Sequence, residues 1–223
     1  MSSSTSLIID QWYHSEILYR WCTLAIACVF AFVLLKSIKK SGNAFDINTW
    51  IAPEEGFILA TTIRITIACQ FTGVIVYWNG GIISLDKFTR LAYYTSFSFM
   101  VPTVIRWFSV ITFFIGVALL YQVLTTLGRN YSMSLHTREK HTLVQDGPYG
   151  YVRHPMYTVL FICWMSISIL SANGIIAISS LAMLTLVMFF RTPIEERMMR
   201  KGFGQSYDVY CEKIPYRFFP HLL

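Results

Sequence analysis

Residues 155–190 read "PMYTVLFICWMSISILSANGIIAISSLAMLTLVMFF", and this stretch decides the fold. It holds two apolar runs, 155–170 and 174–190, with only "SAN" between them. Each run is close to the length that a membrane-spanning helix requires. Because so short a joint leaves no room for a loop, the stretch predicts a tight antiparallel helical hairpin within a membrane.

The composition of the 223 residues fits the same environment, since 55% are hydrophobic and only 13% are charged. In soluble domains about a quarter of the residues are charged. Three further apolar runs cover 17–35, 57–78 and 104–127, and no removable signal peptide is expected before the first. The sequence therefore predicts an all-α integral membrane protein with five spans, and leaves open whether 84–101 crosses the membrane or lies on its surface.

The net charge of +6 comes from Lys and Arg residues that cluster at the ends of the apolar runs. Membrane anchors show this distribution, and it argues against a nucleic-acid partner. Most basic residues follow the first and third spans or lie in the tail after residue 190. The positive-inside rule therefore predicts that the loop 128–155 and the tail face the cytosol, with the N-terminus outside.

Charged residues inside the predicted spans are costly in lipid. We expect Arg20 to reach the membrane surface by snorkelling, and Arg64 to face protein or water, with a structural ion pair as the simplest role. The five cysteines lack metal-ligand spacing, so we expect reduced thiols and no metal site.

Two polar clusters flank the hairpin, at 130–157 and 191–215. Pro155 suits the first turn of the fourth span, which places His154 at a helix N-terminus whose free N–H groups favour an anion or a polar ligand. Arg191 and Glu195 are four residues apart and share a helix face. The tight hairpin therefore predicts that these side chains lie close to His154 at one depth.

Pro193 is expected to break or kink the helix between Arg191 and Glu195. Each cluster alone also fits an interfacial anchor, because Tyr, Arg and His commonly decorate helix ends at membrane surfaces. Their joint placement across one hairpin favours a functional site. The chain has no GxGxxG, P-loop, HExxH or GxSxG motif, so those nucleotide, metal and nucleophile sites are not predicted.

The pattern "HTLVQDGPYGYVRHPMY" (141–157), one hairpin and then "RTPIEERMMRKGFGQSYDVYCEKIPYRFFP" (191–220) resembles the isoprenylcysteine carboxyl methyltransferase family. This family is related to phospholipid N-methyltransferases. The resemblance implies three N-terminal membrane helices over 1–127 and a catalytic part over 128–223. It also implies that S-adenosylmethionine binds beneath the cytosolic surface and leaves as S-adenosylhomocysteine.

The resemblance assigns Arg191 to the acceptor side, for substrate binding and catalysis. Ser134 stands where the family often has glutamine, and it receives no role. Arg153 is left open between a cofactor contact and a helix anchor. The implied cofactor-binding residues are His141, Thr142, Leu143, Val144, Tyr149, His154, Pro155, Met156, Tyr157 and Glu195.

The implied reaction is methyl-ester formation on the C-terminal carboxylate of a prenylated cysteine. The implied partners are a lipid-modified protein or small lipidic acceptor and membrane lipids, in the endoplasmic reticulum of a eukaryote or the inner membrane of a bacterium. N-methylation of a phospholipid amine and S-methylation of a small thiol stay open. So do a membrane sterol reductase, because "YCEKIPYRFFP" resembles that group, and a non-enzymatic membrane scaffold.

Overall fold

The computed structural model describes residues 3–41, 57–79, 86–130 and 142–221, and this part of the chain is helical without a β-strand. Short 3₁₀ turns lie at Ser98–Met100, Gly128–Asn130 and Gly147–Gly150, and a π turn lies at Val187–Arg191. The α-helices are α1 (Ser3–Ser15), α2 (Ile17–Ser41), α3 (Phe57–Asn79), α4 (Asp86–Tyr94), α5 (Thr103–Leu127), α6 (Pro155–Ser171), α7 (Gly174–Leu186), α8 (Thr192–Phe203) and α9 (Gln205–Lys213).

Three helical segments of the described chain are long and apolar enough to cross a membrane, namely Ile17–Lys36, Thr103–Leu127 and Gly174–Phe203. The chain is therefore a multi-pass membrane protein by the length and composition of its helices. The apolar helix α6 is shorter, and α3 occupies the position of the second predicted span. The all-α class is confirmed, whereas the count of five spans stays a prediction.

The hairpin between α6 and α7 turns within two residues. Ala172 adopts the left-handed conformation with φ 46°, and its N–H bonds to the last carbonyls of α6. Asn173 caps α7, because its side-chain oxygen accepts hydrogen bonds from the N–H groups of Ile175 and Ile176. The predicted hairpin is thereby confirmed, and the start of α6 lies beside the end of α7.

Close helix packing places the other helices around this hairpin. Helix α5 packs along α6, where a Cβ on Gly116 would lie only 2.8 Å from the Cys163 Sγ. Helix α3 packs along α7, where a Cβ on Gly73 would lie 2.8 Å from a side-chain carbon of Ile176. Small residues at such contacts let helix backbones approach closely, as is common in membrane bundles.

A buried ion pair joins three helices to the α1–α2 junction at the end of the bundle opposite the polar clusters. The Arg106 guanidinium on α5 donates to both Glu16 carboxylate oxygens and, through Nε, to the Leu170 carbonyl at 2.8 Å. The Tyr77 hydroxyl on α3 donates to the same carboxylate at 2.8 Å. These contacts hold the α1–α2 junction, α3, α5 and the end of α6 together.

Arg20 lies next to this network and is only 2% exposed. Its guanidinium stands 4.9 Å from the Trp12 ring centroid and 5.4 Å from that of Tyr77. The expectation that Arg20 snorkels to the membrane surface is wrong, because these two aromatic faces attract the cation inside the protein. Arg64 is partly buried, and its orientation stays a prediction.

Candidate active site

The helix that follows the hairpin contains the π turn between α7 and α8. The Thr192 N–H donates to the Val187 carbonyl, five residues back. Proline has no N–H, so Pro193 was expected to break or kink the helix. The structure corrects the predicted break, because the wider turn lets α7 continue into α8 with Pro193 in its first turn. Arg191 therefore ends the π turn one helical turn before Glu195.

The predicted meeting of the two polar clusters is confirmed by a chain of short contacts. Arg191 Nε donates to the Tyr157 hydroxyl at 2.8 Å, and that hydroxyl donates to Glu195 Oε2 at 2.8 Å. His154 Nδ1 lies 3.7 Å from the same carboxylate oxygen. The His154 ring stacks on the Tyr157 ring with centroids 5.9 Å apart. The Tyr157 hydroxyl thus joins Arg191 to Glu195.

His154 occupies the N-cap position of α6 and Pro155 the first turn, as the sequence predicted. The His154 residue is 7% exposed, and its Nε2 atom is buried without a hydrogen-bond partner among the described residues. The Glu195 side chain is 28% exposed. A partly exposed carboxylate beside the His154 ring fits a polar ligand with hydroxyl and amino groups, because carboxylate oxygens accept hydrogen bonds from such donors.

The other predicted cofactor residues that the structure describes lie in the loop before α6 or in its first turn, and several of their side chains pack into hydrophobic clusters. Val144, Tyr149 and Met156 join the core around α5 and α6, and Leu143 packs against the α8–α9 cluster. Thr142 is exposed, and its N–H donates to Asn130 Oδ1 at 3.1 Å. His141 and Ser134 lie outside the described residues, and a cofactor role for the whole set stays a prediction.

The tail is fixed to this loop by α9. The buried Tyr210 hydroxyl donates to the Tyr149 carbonyl at 2.8 Å. Burial raises the pKa of Tyr210, so its hydroxyl stays protonated and keeps donating at any physiological pH. The 3₁₀ turn Gly147–Gly150 is therefore held between α5 and α9.

Glu196 and its partners were missed at the sequence level. Its side chain is 2% exposed and forms ion pairs with Arg153 at 2.9 Å and Arg217 at 2.7 Å. Glu195 and Glu196 stand next to each other on α8. Neighbouring helical residues point about 100° apart, so one glutamate faces Tyr157 and the other faces the tail. Of the two roles left open for Arg153, the helix anchor is the one its contacts show.

The family model for the "isoprenylcysteine carboxyl methyltransferase (ICMT) family" matches residues 109–201. The match contains His154, Tyr157, Arg191 and Glu195, which are the side chains joined by the contacts described above. Over these residues the family resemblance is confirmed.

Two curated relatives match similar lengths of chain. "Protein-S-isoprenylcysteine O-methyltransferase B" of Arabidopsis thaliana is 28% identical over 103 residues, which cover 45% of this chain and 52% of the relative. "Protein-S-isoprenylcysteine O-methyltransferase" of Schizosaccharomyces pombe is 40% identical over 77 residues, which cover 34% of this chain and 32% of the relative. The chain spans about half the length, or less, of these relatives.

One solved structure also aligns with the chain. It is described as "the eukaryotic intramembrane Ras methyltransferase ICMT", and the alignment has a TM-score of 0.47 and 17% identity. It covers 96% of this chain and 85% of the other.

Proposed function

We propose that the chain is an integral-membrane methyltransferase that moves a methyl group from S-adenosylmethionine to the C-terminal carboxylate of a prenylated cysteine. The observation that carries the proposal is the line of contacts from Arg191 through Tyr157 to Glu195 and His154. It lies within the segment that the family model matches. Arg191 and Glu195 have opposite charges, one for each substrate, and both form hydrogen bonds with the Tyr157 hydroxyl.

The donor end of the proposed site consists of His154 and Glu195. The Glu195 carboxylate accepts hydrogen bonds from hydroxyl or amino groups, and the His154 ring lies beside it, with Nδ1 3.7 Å from Glu195 Oε2. The rings of Tyr149 and Tyr157 are proposed to face the positive sulfonium, which aromatic faces attract. When bound, S-adenosylmethionine supplies an activated methyl group, and the protein's part is to position the reactants and exclude water.

The acceptor end consists of Arg191. A carboxylate is ionised at neutral pH, so it needs no general base, and a guanidinium holds it through paired charge-assisted hydrogen bonds. An amine acceptor would have to lose a proton and would gain nothing from a neighbouring cation. Arg191 therefore favours a carboxylate over a phospholipid amine. The bilayer serves as the reservoir for the prenyl tail, and the proposed site faces the cytosol, in accord with the basic loops.

The test is a methyl-transfer assay with the purified full chain in detergent, labelled S-adenosylmethionine and a farnesylated cysteine analogue. We expect labelled product whose methyl group is released as methanol by mild base, as for an ester. The matched control is the methyl ester of the same analogue, which has no free carboxylate and must stay unlabelled.

Other outcomes separate the remaining candidates. Base-stable label in extracted phospholipid would replace the proposal with N-methylation, and label on a small thiol would replace it with S-methylation. Binding of S-adenosylhomocysteine without ester formation would overturn the acceptor alone. A chain that binds no S-adenosylhomocysteine, measured by calorimetry, would overturn the methyltransferase proposal itself.

A further inference from the structure

Glu196 lies at a junction of three chain segments. Its Oε1 accepts from Arg153 Nε at 3.0 Å and Nη2 at 2.9 Å, and Arg217 donates through Nε at 3.1 Å to Oε1 and through Nη2 at 2.7 Å to Oε2. His154 Nε2 lies 3.6 Å from Oε1. The glutamate on α8 thus binds the loop before α6 and the tail after α9 at the same time.

The tail segment 214–218 is paired with the loop by backbone contacts. The Arg153 N–H donates to the Tyr216 carbonyl at 2.9 Å, and the His154 N–H donates to the Arg217 carbonyl at 2.8 Å. At its two ends the pairing is extended by side chains, because Arg153 Nη1 donates to the Ile214 carbonyl and Thr158 Oγ1 to the Phe218 carbonyl, each at 2.7 Å. Movement of the tail therefore moves the backbone of His154.

The Arg217 side chain is more exposed than the Arg153 side chain. The Arg153 side chain is 8% exposed, whereas that of Arg217 is 44% exposed. The hydrogen bond to Glu196 raises the pKa of the Arg217 guanidinium, so the pair stays charged at every physiological pH. Loss of Arg217 leaves Glu196 with its Arg153 partner. Loss of Arg217 is therefore expected to loosen the tail without leaving an unpaired buried charge.

We infer that Glu196 and Arg217 are positioning residues, which hold His154 in the site by fixing the tail segment 214–218 against it. Neither residue has a role in the proposed transfer, and both act through His154. The expected effect on cofactor affinity rests on the proposed function. The expected effect on the His154 backbone does not, because it follows from the contacts alone.

The experiment compares Arg217→Gln with Arg200→Gln in the purified full chain. Arg200 is the matched control, because it lies on the same helix as Glu196 and forms an exposed ion pair with Asp208 at 3.1 Å. Amide exchange is measured without ligand on a peptide covering 149–158. We expect faster exchange of the Arg153 and His154 amides in Arg217→Gln and no change in Arg200→Gln.

Cofactor kinetics and binding give the second readout. In Arg217→Gln we expect the KM for S-adenosylmethionine and the Kd for S-adenosylhomocysteine to rise about tenfold, with kcat nearly unchanged. A tenfold change is the lower end of the range seen at metal sites when a side chain that orients a ligand residue is removed. Arg217→Lys keeps the charge but not the paired geometry, so it is expected to restore part of both effects.

The outcomes separate this inference from the proposed function. Faster exchange in Arg217→Gln, together with a wild-type chain that binds no S-adenosylhomocysteine, would support the tail contact and overturn the methyltransferase proposal. Unchanged exchange at residues 153 and 154 would overturn the inference whatever the chain binds. Faster exchange with unchanged cofactor KM and Kd would overturn the positioning role, and so would equal effects in Arg200→Gln.

Discussion

Tyr157 is the residue on which the geometry of the site depends most directly. Its hydroxyl accepts from Arg191 and donates to Glu195, so it satisfies one charged group on each side of the proposed reaction. Hydrogen bonds to charged groups contribute more than those between neutral groups. A single oxygen atom thus links the two ends of the proposed site.

We predict that Tyr157→Phe lowers kcat/KM by about tenfold, because about 1.4 kcal/mol is lost when both charged partners lose the hydroxyl. The measurement is steady-state methyl transfer, with the unfolding temperature recorded in parallel. Tyr151→Phe is the control, since Tyr151 lies in the loop just before α6 and is 72% exposed. Equal activity of the two variants would contradict the role of Tyr157.

Substitution of Glu195 is predicted to weaken cofactor binding, and substitution of Arg191 is predicted to lower turnover. Glu195→Ala should raise the Kd of S-adenosylhomocysteine by about tenfold, since a carboxylate that accepts ligand hydrogen bonds is removed. Arg191→Ala should leave that Kd within about a factor of three and lower turnover about a hundredfold, as expected when the group that orients the reacting carboxylate is lost. Calorimetry and turnover measured on both variants check the division, and equal loss of binding would refute it.

The hairpin between α6 and α7 is the element that brings these residues together. Asn173 is fully buried, caps α7, and donates from Nδ2 to the Thr95 hydroxyl at 3.3 Å. The N–H of Gly174 donates to the Thr95 carbonyl at 2.7 Å. The turn is therefore anchored both to its own helix and to the segment after α4.

We predict that Asn173→Ala lowers the free energy of unfolding by about 1–2 kcal/mol, the cost typical of losing an N-cap. Thermal unfolding in detergent measures the effect. Thr185→Ala is the control, because Thr185 is exposed on the same helix and its hydroxyl bonds only the preceding turn. An equal shift in both variants would mean that the cap has no special part in stability.

The hairpin could be predicted from sequence because its signals are local. Two apolar runs with three residues between them allow little else, and Pro155 marks a helix start by its own chemistry. The same local reasoning failed at Pro193, where the helix continues through a π turn. A π turn depends on packing around the whole segment, and a single residue type does not signal it.

At the level of the complete fold, the partners of the buried charged residues were the least predictable feature. Glu16 and Arg106 are 90 residues apart, and Arg153 and Arg217 meet through a glutamate on a third segment. Helical periodicity carries no information on such partners. Arg20 was misread for the same reason, because its aromatic neighbours Trp12 and Tyr77 come from other helices.

The buried pair of Glu16 and Arg106 supports a prediction about the whole bundle. Glu16→Ala removes the carboxylate and leaves two buried guanidinium groups close together, so we expect about 3–5 kcal/mol of destabilisation. The double variant Glu16→Ala, Arg106→Leu should be more stable than the single variant. Asp208→Asn breaks an exposed pair and serves as the control, with less than about 1 kcal/mol of loss. Unfolding in detergent compares the three.

The π turn Val187–Arg191 makes the site depend on the number of residues in a helix as well as on their identity. Deleting one residue there restores regular α-helix and rotates all that follows by about 100° relative to α7. Arg191 and Glu195 would then leave Tyr157 while the helix kept its length and apolar character. We therefore expect Phe189→Ala, at a position 69% exposed, to retain S-adenosylhomocysteine binding, whereas deletion of Phe189 abolishes it with helical circular dichroism preserved. A gap in this segment of a related sequence would therefore signal a lost activity even where every polar residue is kept.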